Sequence, residues 1–244
     1  VNVNQVVFGN GTDEILDLIV RVFCNPNQDQ IITLPPTYGM YDVIAKTNSI
    51  ENIEIPLKSD FSIDRDKILG LKPSNTKILF LCSPNNPTGN SFDINFLSDL
   101  IKDFKGIVVI DEAYIDFSSQ KSLINLIGKY ENLIITQTMS KAYGMAGIRL
   151  GMGFSNEKII SYINKIKPPY NINILTENKA LEELKKVSEI KSNVNSILNQ
   201  KEKLISFLEK LDFVEKIYES DANFILVKVD NADLRYNQLL KKGI

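Results

Sequence analysis

The stretch Ser140-Lys-Ala-Tyr-Gly-Met-Ala-Gly-Ile-Arg149 places one lysine, Lys141, in a glycine-punctuated turn after the apolar run Leu133-Ile-Ile135. Alone, a lysine there reads as a solvated loop residue. It becomes a nucleophile only where its pKa is depressed or a second cation stands near. Arg149, one of four arginines, offers a guanidinium fork suited to phosphate. Asp111 follows Ile107-Val-Val-Ile110 directly and so sits at the mouth of a buried strand. A carboxylate there needs a cation or a proton donor. A magnesium ion, a protonated ring nitrogen and a simple turn cap all satisfy that need. Tyr114, three residues on, can direct its phenol to the same place.

Two loops add donors. Ser83-Pro-Asn-Asn-Pro-Thr-Gly89 is built of turn formers and holds Asn86 rigidly between Asn85 and Pro87. Its amide can donate to an acceptor oxygen. Gly9-Asn-Gly-Thr-Asp-Glu14 reads as a turn at Gly9–Gly11 that opens a helix. The free N–H groups around Gly11, Thr12 and Asp13 at that terminus suit an anion, phosphate above all. They also fit an ordinary capped helix start. The spacing matches neither a Walker loop nor a GxGxxG fingerprint.

The elements that position these groups follow from periodicity. Strands are expected at Val6–Phe8, Ile31–Ile32, Ile53–Ile55, Lys77–Cys82, Ile107–Ile110, Leu133–Ile135 and Ile148–Phe154. Helices are expected from Thr12, over Tyr38–Ala45 and Ile63–Leu71, after Asp93, and over Leu123–Ile127. Alternation of this kind implies an α/β fold, a three-layer α/β/α arrangement around a mostly parallel sheet. The near-continuous apolar runs mark strands covered on both faces. Ligands bind beyond the carboxyl ends of such strands, and every unusual loop named above lies at such an end. The last third differs. Leu181, Leu184, Val187, Ile190, Val194, Ile197, Leu204, Leu208 and Leu211 recur at helical steps, as two helices with a bend. Strands at Phe213–Tyr218 and Phe224–Val229 and a helix over Ala232–Lys242 complete it. The chain therefore divides into a large domain, 1–180, and part of a smaller α+β C-terminal domain, 181–244.

Composition narrows the chemistry. The 244 residues carry a formal net charge of −2 and are 43% hydrophobic, with no bulk attraction for nucleic acid or anionic membrane. No run is long enough to span a membrane, and no signal pattern opens the chain. The two cysteines, Cys24 and Cys82, read as reduced core residues of a cytoplasmic protein, not as a metal pair. Histidine is absent, which removes histidine-based triads and most zinc sites. No metal is expected.

A lysine, a buried acid, a donor amide, a phenol and a phosphate cradle together meet the needs of pyridoxal 5'-phosphate. The lysine forms the Schiff base. The acid keeps the pyridine nitrogen protonated, the amide and phenol hold the ring hydroxyl oxygen, and the helix terminus, Ser140 and Arg149 hold the phosphate.

These residues resemble the histidinol-phosphate aminotransferase family of fold-type I pyridoxal-phosphate enzymes. The resemblance rests on Gly9-Asn-Gly-Thr-Asp-Glu-Ile-Leu16, Pro36-Thr-Tyr-Gly-Met-Tyr41, Cys82–Gly89, Asp111-Glu-Ala-Tyr-Ile-Asp-Phe117 and Ser140–Gly151, with Pro168-Pro-Tyr-Asn171 and Ser220-Asp-Ala-Asn-Phe224. It implies transamination between histidinol phosphate, a phosphate-ester amino donor, and 2-oxoglutarate, in histidine biosynthesis. Lys141 would bind the cofactor and move the proton. Asp111 would pair with the pyridine nitrogen, Asn86 and Tyr114 would contact the ring hydroxyl, and Tyr38 would stack on the ring. Thr12, Asp13, Ser140 and Arg149 would hold the phosphate. The resemblance also implies a homodimer, and further segments ahead of Val1 and beyond Ile244 that carry substrate-selecting groups. The chain is accordingly expected to be an internal fragment of a longer enzyme.

Other readings stay open. An aromatic aminotransferase or a threonine-phosphate decarboxylase-like enzyme would share the cofactor site. A magnesium-dependent nucleotide enzyme would use Asp111 and the Gly9–Asp13 loop without a Walker lysine. A catalytically incompetent fragment would keep the fold alone.

Overall fold

In the computed structural model, which describes residues 1–71 and 75–244, seven strands form one sheet. They are β1 (Val6–Asn10), β2 (Gln30–Thr33), β3 (Glu51–Glu54), β4 (Thr76–Cys82), β5 (Ile107–Asp111), β6 (Leu133–Thr138) and β7 (Leu150–Phe154). Their spatial order is β1-β7-β6-β5-β4-β2-β3. The pairs from β6 through β3 are parallel, whereas β7 is antiparallel to both β6 and β1. The cause is the connection: β6 reaches β7 through a loop too short to hold a crossover helix, so the chain must turn back. That loop carries Lys141. Because β7 is reversed, its first residues and the last residues of β1, β4, β5 and β6 meet at one edge of the sheet.

Alternation within β4 shows why the sheet is covered on both sides. Ile78, Phe80 and Cys82 face a core shared with Ile15, Leu16, Ile19, Tyr41 and Ile160. Leu79 and Leu81 face a second core with Leu97, Leu100, Ile101 and Ile135. The first core is roofed by α1 (Thr12–Phe23), α2 (Met40–Thr47) and α5 (Glu157–Ile166). The second is roofed by α3 (Arg65–Gly70) and α4 (Ile94–Asp103). Asp64, Asp93 and Asn156 cap α3, α4 and α5 by accepting from Lys67, Phe96 and Ile159 backbone N–H groups. This is the three-layer architecture expected of the fold class.

Several boundaries differ from those expected. Gly9 and Asn10 lie in β1, paired with Gly151 and Leu150, so the turn before α1 is the single residue Gly11 at φ 79°. Helix α2 begins at Met40 and leaves Tyr38 in the preceding loop. Residues Leu123–Leu126 form a 3-10 turn, whose serine cap at Ser122 holds it tight. Helix α5 was not anticipated, although Ile159, Ile160 and Ile163 supply its inward face.

The helical span of the last third begins earlier, with α6 (Ile174–Glu183), and bends through a 3-10 turn at Leu184–Lys186 into α7 (Val187–Leu208). Its apolar stripe does not enter a core throughout: Leu181, Leu184, Val187, Ile197 and Leu204 are exposed. On α7 only Val194 and Lys201 are buried. Strands β8 (Val214–Ile217) and β9 (Val227–Val229) form an antiparallel pair, shorter than expected, beside α8 (Ala232–Lys241). Lys201 donates to the carbonyls of Ser220 at 2.6 Å and Ala222 at 2.9 Å, which fixes the segment before β9. The Asp221 N–H donates in turn to the Gly89 carbonyl at 2.8 Å, so this segment rests on the loop that holds Asn86.

Gly151 packs against backbone at the functional edge. A Cβ on it would meet the Gly11 carbonyl carbon at 2.5 Å, at the first turn of α1. Gly151→Ala is therefore expected to cost about 1–3 kcal/mol in denaturant unfolding, as overpacking against backbone does. An unchanged unfolding midpoint would show that α1 can retreat freely.

Candidate active site

Each sequence-selected side chain comes to the same edge. Thr12 and Asp13 begin α1, Asn86 lies in the loop after β4, Asp111 ends β5, Tyr114 follows it, and Ser140, Lys141 and Arg149 come from the β6–β7 loop. These, with Tyr38, line one pocket that opens to solvent. Gly11 does not line it. Its missing side chain instead makes room for the Arg149 guanidinium, whose Cζ would stand 3.0 Å from a Cβ there.

Asp111 is the most constrained group. It is 3% exposed. Its Oδ1 accepts from the Thr136 hydroxyl at 3.1 Å and the Ala113 N–H at 3.2 Å, and its Oδ2 accepts from the Tyr41 hydroxyl at 3.0 Å. Burial pushes its carboxyl up to about 6, while these three donors pull it back toward the ionised form. An acid poised in this way is ready for a cationic N–H partner.

The neighbouring acid, Glu112, points elsewhere. It accepts from Ser122 Oγ at 2.5 Å, Leu123 N at 2.7 Å and Gln137 Nε2 at 2.8 Å, and so ties the 3-10 turn to β6. Adjacent residues of one motif thus divide between ligand and scaffold. The two amides of the Asn85-Asn86 pair divide likewise. Asn85, 2% exposed, donates to Pro36 O at 2.9 Å and to Thr88 Oγ1 at 2.7 Å and accepts from Thr37 Oγ1 at 2.8 Å. Among the described residues, none hydrogen-bonds the Asn86 side-chain amide, which faces the cavity.

Lys141 places its Nζ 5.2 Å from the centroid of the Tyr114 ring, and no carboxylate of the described residues pairs with it. The Tyr114 ring is held edge-on against Phe224 at 5.1 Å, and its hydroxyl has no protein partner among the described residues. Tyr38 donates to Asp13 Oδ1 at 3.0 Å, and burial with that carboxylate beside it raises the phenol well above its ordinary pKa. The Arg149 guanidinium stands 3.6 Å from Asp13 Oδ2, half exposed, with Arg149 itself at φ 55°. The first turn of α1 has no side-chain cap, because its N-cap is Gly11. Its N–H groups are left for a ligand.

These observations fit pyridoxal phosphate on the chemistry of the donor set. An unpaired amine, an unpartnered amide and an unpartnered phenol surround a cavity floored by a buried carboxylate. An uncapped helix terminus, Ser140 and a guanidinium stand at one end. Among the described residues, no group of acidic or cysteine side chains could hold a metal ion. No described helix is long and apolar enough to cross a membrane.

Sequence reading missed Tyr41 and Thr136. Thr136 had a signal: it is a polar residue in an apolar strand, and it pairs in register with Asp111. Tyr41 had no such signal; its ring meets that of Tyr38 edge-on, 5.6 Å between centroids.

The family model for aminotransferase class I and II matches residues 1–243. A histidinol-phosphate aminotransferase of Flavobacterium johnsoniae is 57% identical over 241 residues, 99% of this chain and 69% of that protein. The crystal structure of the histidinol-phosphate aminotransferase from Clostridium acetobutylicum superposes with a TM-score of 0.90 at 29% identity, covering 98% of this chain and 72% of that one. The fold also matches a histidinol-phosphate aminotransferase from Sinorhizobium meliloti in complex with pyridoxal-5'-phosphate, at a TM-score of 0.86 and 22% identity, covering 96% and 64% of the two chains.

Proposed function

This chain belongs to the class I and II aminotransferases, a family of pyridoxal-phosphate-dependent enzymes, and we propose that it moves the amino group of histidinol phosphate to 2-oxoglutarate, a step of histidine biosynthesis. The observation that carries the reading is the meeting of Lys141, Asp111, Asn86, Tyr114, Ser140 and Arg149 around one pocket. A relative named for this activity, 57% identical over nearly the whole chain, supports the choice of substrate.

Bound in the cavity, pyridoxal phosphate supplies an electron sink for the carbanion formed when an amino donor loses its α proton. The chain's own groups do the rest. Asp111 holds a proton on the ring nitrogen through Oδ2. Asn86 and Tyr114 would donate to the ring hydroxyl oxygen and orient the ring, and Tyr38 would stack on it. The Thr12 and Asp13 N–H groups, Ser140 and Arg149 would hold the phosphate. Lys141 is the amine that would anchor the group and would serve as general base and acid for the proton moved between carbon atoms. Its open surroundings leave the Nζ free to swing.

The same reading divides the chain at 180/181. Support comes from Ala180, buried with Met139, Met145 and Leu150, and from Thr176 Oγ1 donating to Ile148 O at 2.8 Å, which join α6 to the large domain. It includes a homodimer, supported by the exposed apolar side chains Tyr170, Ile174 and Leu175. It includes a cytoplasmic setting, supported by two free buried cysteines.

The test is direct. Purified protein given histidinol phosphate and 2-oxoglutarate should form glutamate in equal amount to the donor consumed, without carbon dioxide release. No glutamate from that pair, with another amino donor accepted, would overturn the substrate assignment.

A further inference from the structure

Tyr41 does not line the pocket, yet it is 1% exposed and its hydroxyl ends 3.0 Å from Asp111 Oδ2. Its ring lies flat on Phe80 of β4, 4.9 Å between centroids with the planes 8° apart. The ring thus cannot turn without opening the core beneath the cavity. An ionised carboxylate has about four acceptor sites, two on each oxygen. Thr136 and Ala113 fill both sites on Oδ1. Tyr41 fills one on Oδ2, and Asp111 lines the cavity. One site on Oδ2 is left for a ligand.

We propose that Tyr41 is a positioning residue for the cofactor: its hydroxyl selects Oδ2 as the cavity-facing oxygen of Asp111, fixes that oxygen's direction, and keeps it a carboxylate so that the proton stays on the ring nitrogen. The proposal rests on the Asp111 role given under the proposed function. The donor acts on the same oxygen that must accept the ring N–H. A hydrogen bond to that oxygen weakens it as a base without neutralising it. Without the hydroxyl, burial would push the Asp111 carboxyl further up, and the proton would rest on the acid with the ring nitrogen neutral. Tyr41 itself stays the donor, because burial and the Asp111 charge raise its phenol well above the ordinary tyrosine range.

The titratable groups around the pair come from four elements. Cys82 of β4 touches the Tyr41 hydroxyl, and burial keeps its thiol protonated. Asp13 at the start of α1 adds a like charge that raises Asp111. Tyr38, ahead of α2, and Glu112, beside Asp111, both feel the Asp111 charge. None of them donates to Oδ2.

The experiment uses Tyr41→Phe, which keeps the ring on Phe80 and removes only the hydroxyl, in the full chain freed of cofactor. Pyridoxal phosphate binding is titrated by visible absorbance across pH 5 to 9, with Asp111→Asn measured in parallel. Tyr41→Phe should bind about tenfold more weakly or worse at neutral pH, the effect expected for losing a hydrogen bond to a charged group. The pH at which affinity is half-lost should move upward by about one unit, since removing one donor shifts a carboxyl on that scale. In an Asp111→Asn background, Tyr41→Phe should have no further effect on either quantity. Weaker binding with an unmoved pH midpoint would mean that Tyr41 only packs, and would overturn the positioning role. Wild-type affinity and midpoint in Tyr41→Phe, with Asp111→Asn impaired, would overturn it too while leaving the Asp111 role intact. Wild-type binding by Asp111→Asn would remove the reading on which it rests.

Discussion

Lys141→Ala should reduce transamination by on the order of 10⁴-fold or more, since positioned proton transfer alone contributes 10²–10⁴ and the covalent anchor is lost with it. The fold should not notice. Lys141 is exposed, with its amine over the Tyr114 ring, so the unfolding midpoint should stay within about 2 °C. Non-covalent binding of the cofactor should survive in part, because Asp111, Arg149 and the α1 terminus remain. Turnover by Lys141→Ala within tenfold of the unsubstituted enzyme would place the reacting amine elsewhere.

Asp111→Asn should weaken cofactor binding by about 10²–10³-fold, as expected when one partner of a buried charge pair is removed. Turnover should fall by at least as much, because a ring nitrogen without its proton is a poor electron sink. Asparagine keeps the volume. Asp111→Ala would in addition leave the Tyr41 and Thr136 hydroxyls without their acceptor in a dry site, at about 1–3 kcal/mol of stability for each orphaned donor. The pH dependence has a definite sign. Burial raises this carboxyl from 3.8 to about 6, so the cofactor-free fold prefers the neutral acid. The stability Asp111 contributes is therefore greatest below 3.8 and is lost as pH rises through about 6. Cofactor affinity runs the other way: it needs the carboxylate, rises through about 6 and then levels. The cofactor's own phosphate also titrates near this range, so the difference between the wild-type and Asp111→Asn profiles is the quantity to compare. A difference that is flat with pH would remove the pyridinium role.

The architecture was legible in the sequence because both faces of the sheet are buried. Runs such as Lys77–Cys82 and Ile107–Ile110 have no polar interruption, and only a strand sandwiched between helices tolerates that. The meeting of loops at one edge followed from strand polarity alone. What the sequence concealed was of three kinds. The reversed β7 depends on the length of the Lys141 loop and on Arg149 adopting φ 55°, which no residue type announces. The division of labour between Asn85 and Asn86, and between Asp111 and Glu112, depends on which side chain of a pair points outward, and that is set by loop geometry. The Tyr41–Asp111 contact joins residues far apart in the chain, and periodicity counts Tyr41 as one more core aromatic. The stripe of α6 and α7 misled for the opposite reason. Helical spacing of leucines marks a face but not what covers it, and the buried residue on α7 includes a lysine, Lys201, whose amine serves two carbonyls.

The central claim is that Lys141 is the amine that holds the cofactor at the edge where Asp111, Asn86, Tyr114 and Arg149 meet. Its most direct test is to add pyridoxal phosphate, record the visible absorbance of the bound group, reduce with borohydride, and map the labelled peptide by mass spectrometry. The account predicts that reduction abolishes the visible band and leaves one stoichiometric label on Lys141. A label on another lysine, or no stable label, would contradict it.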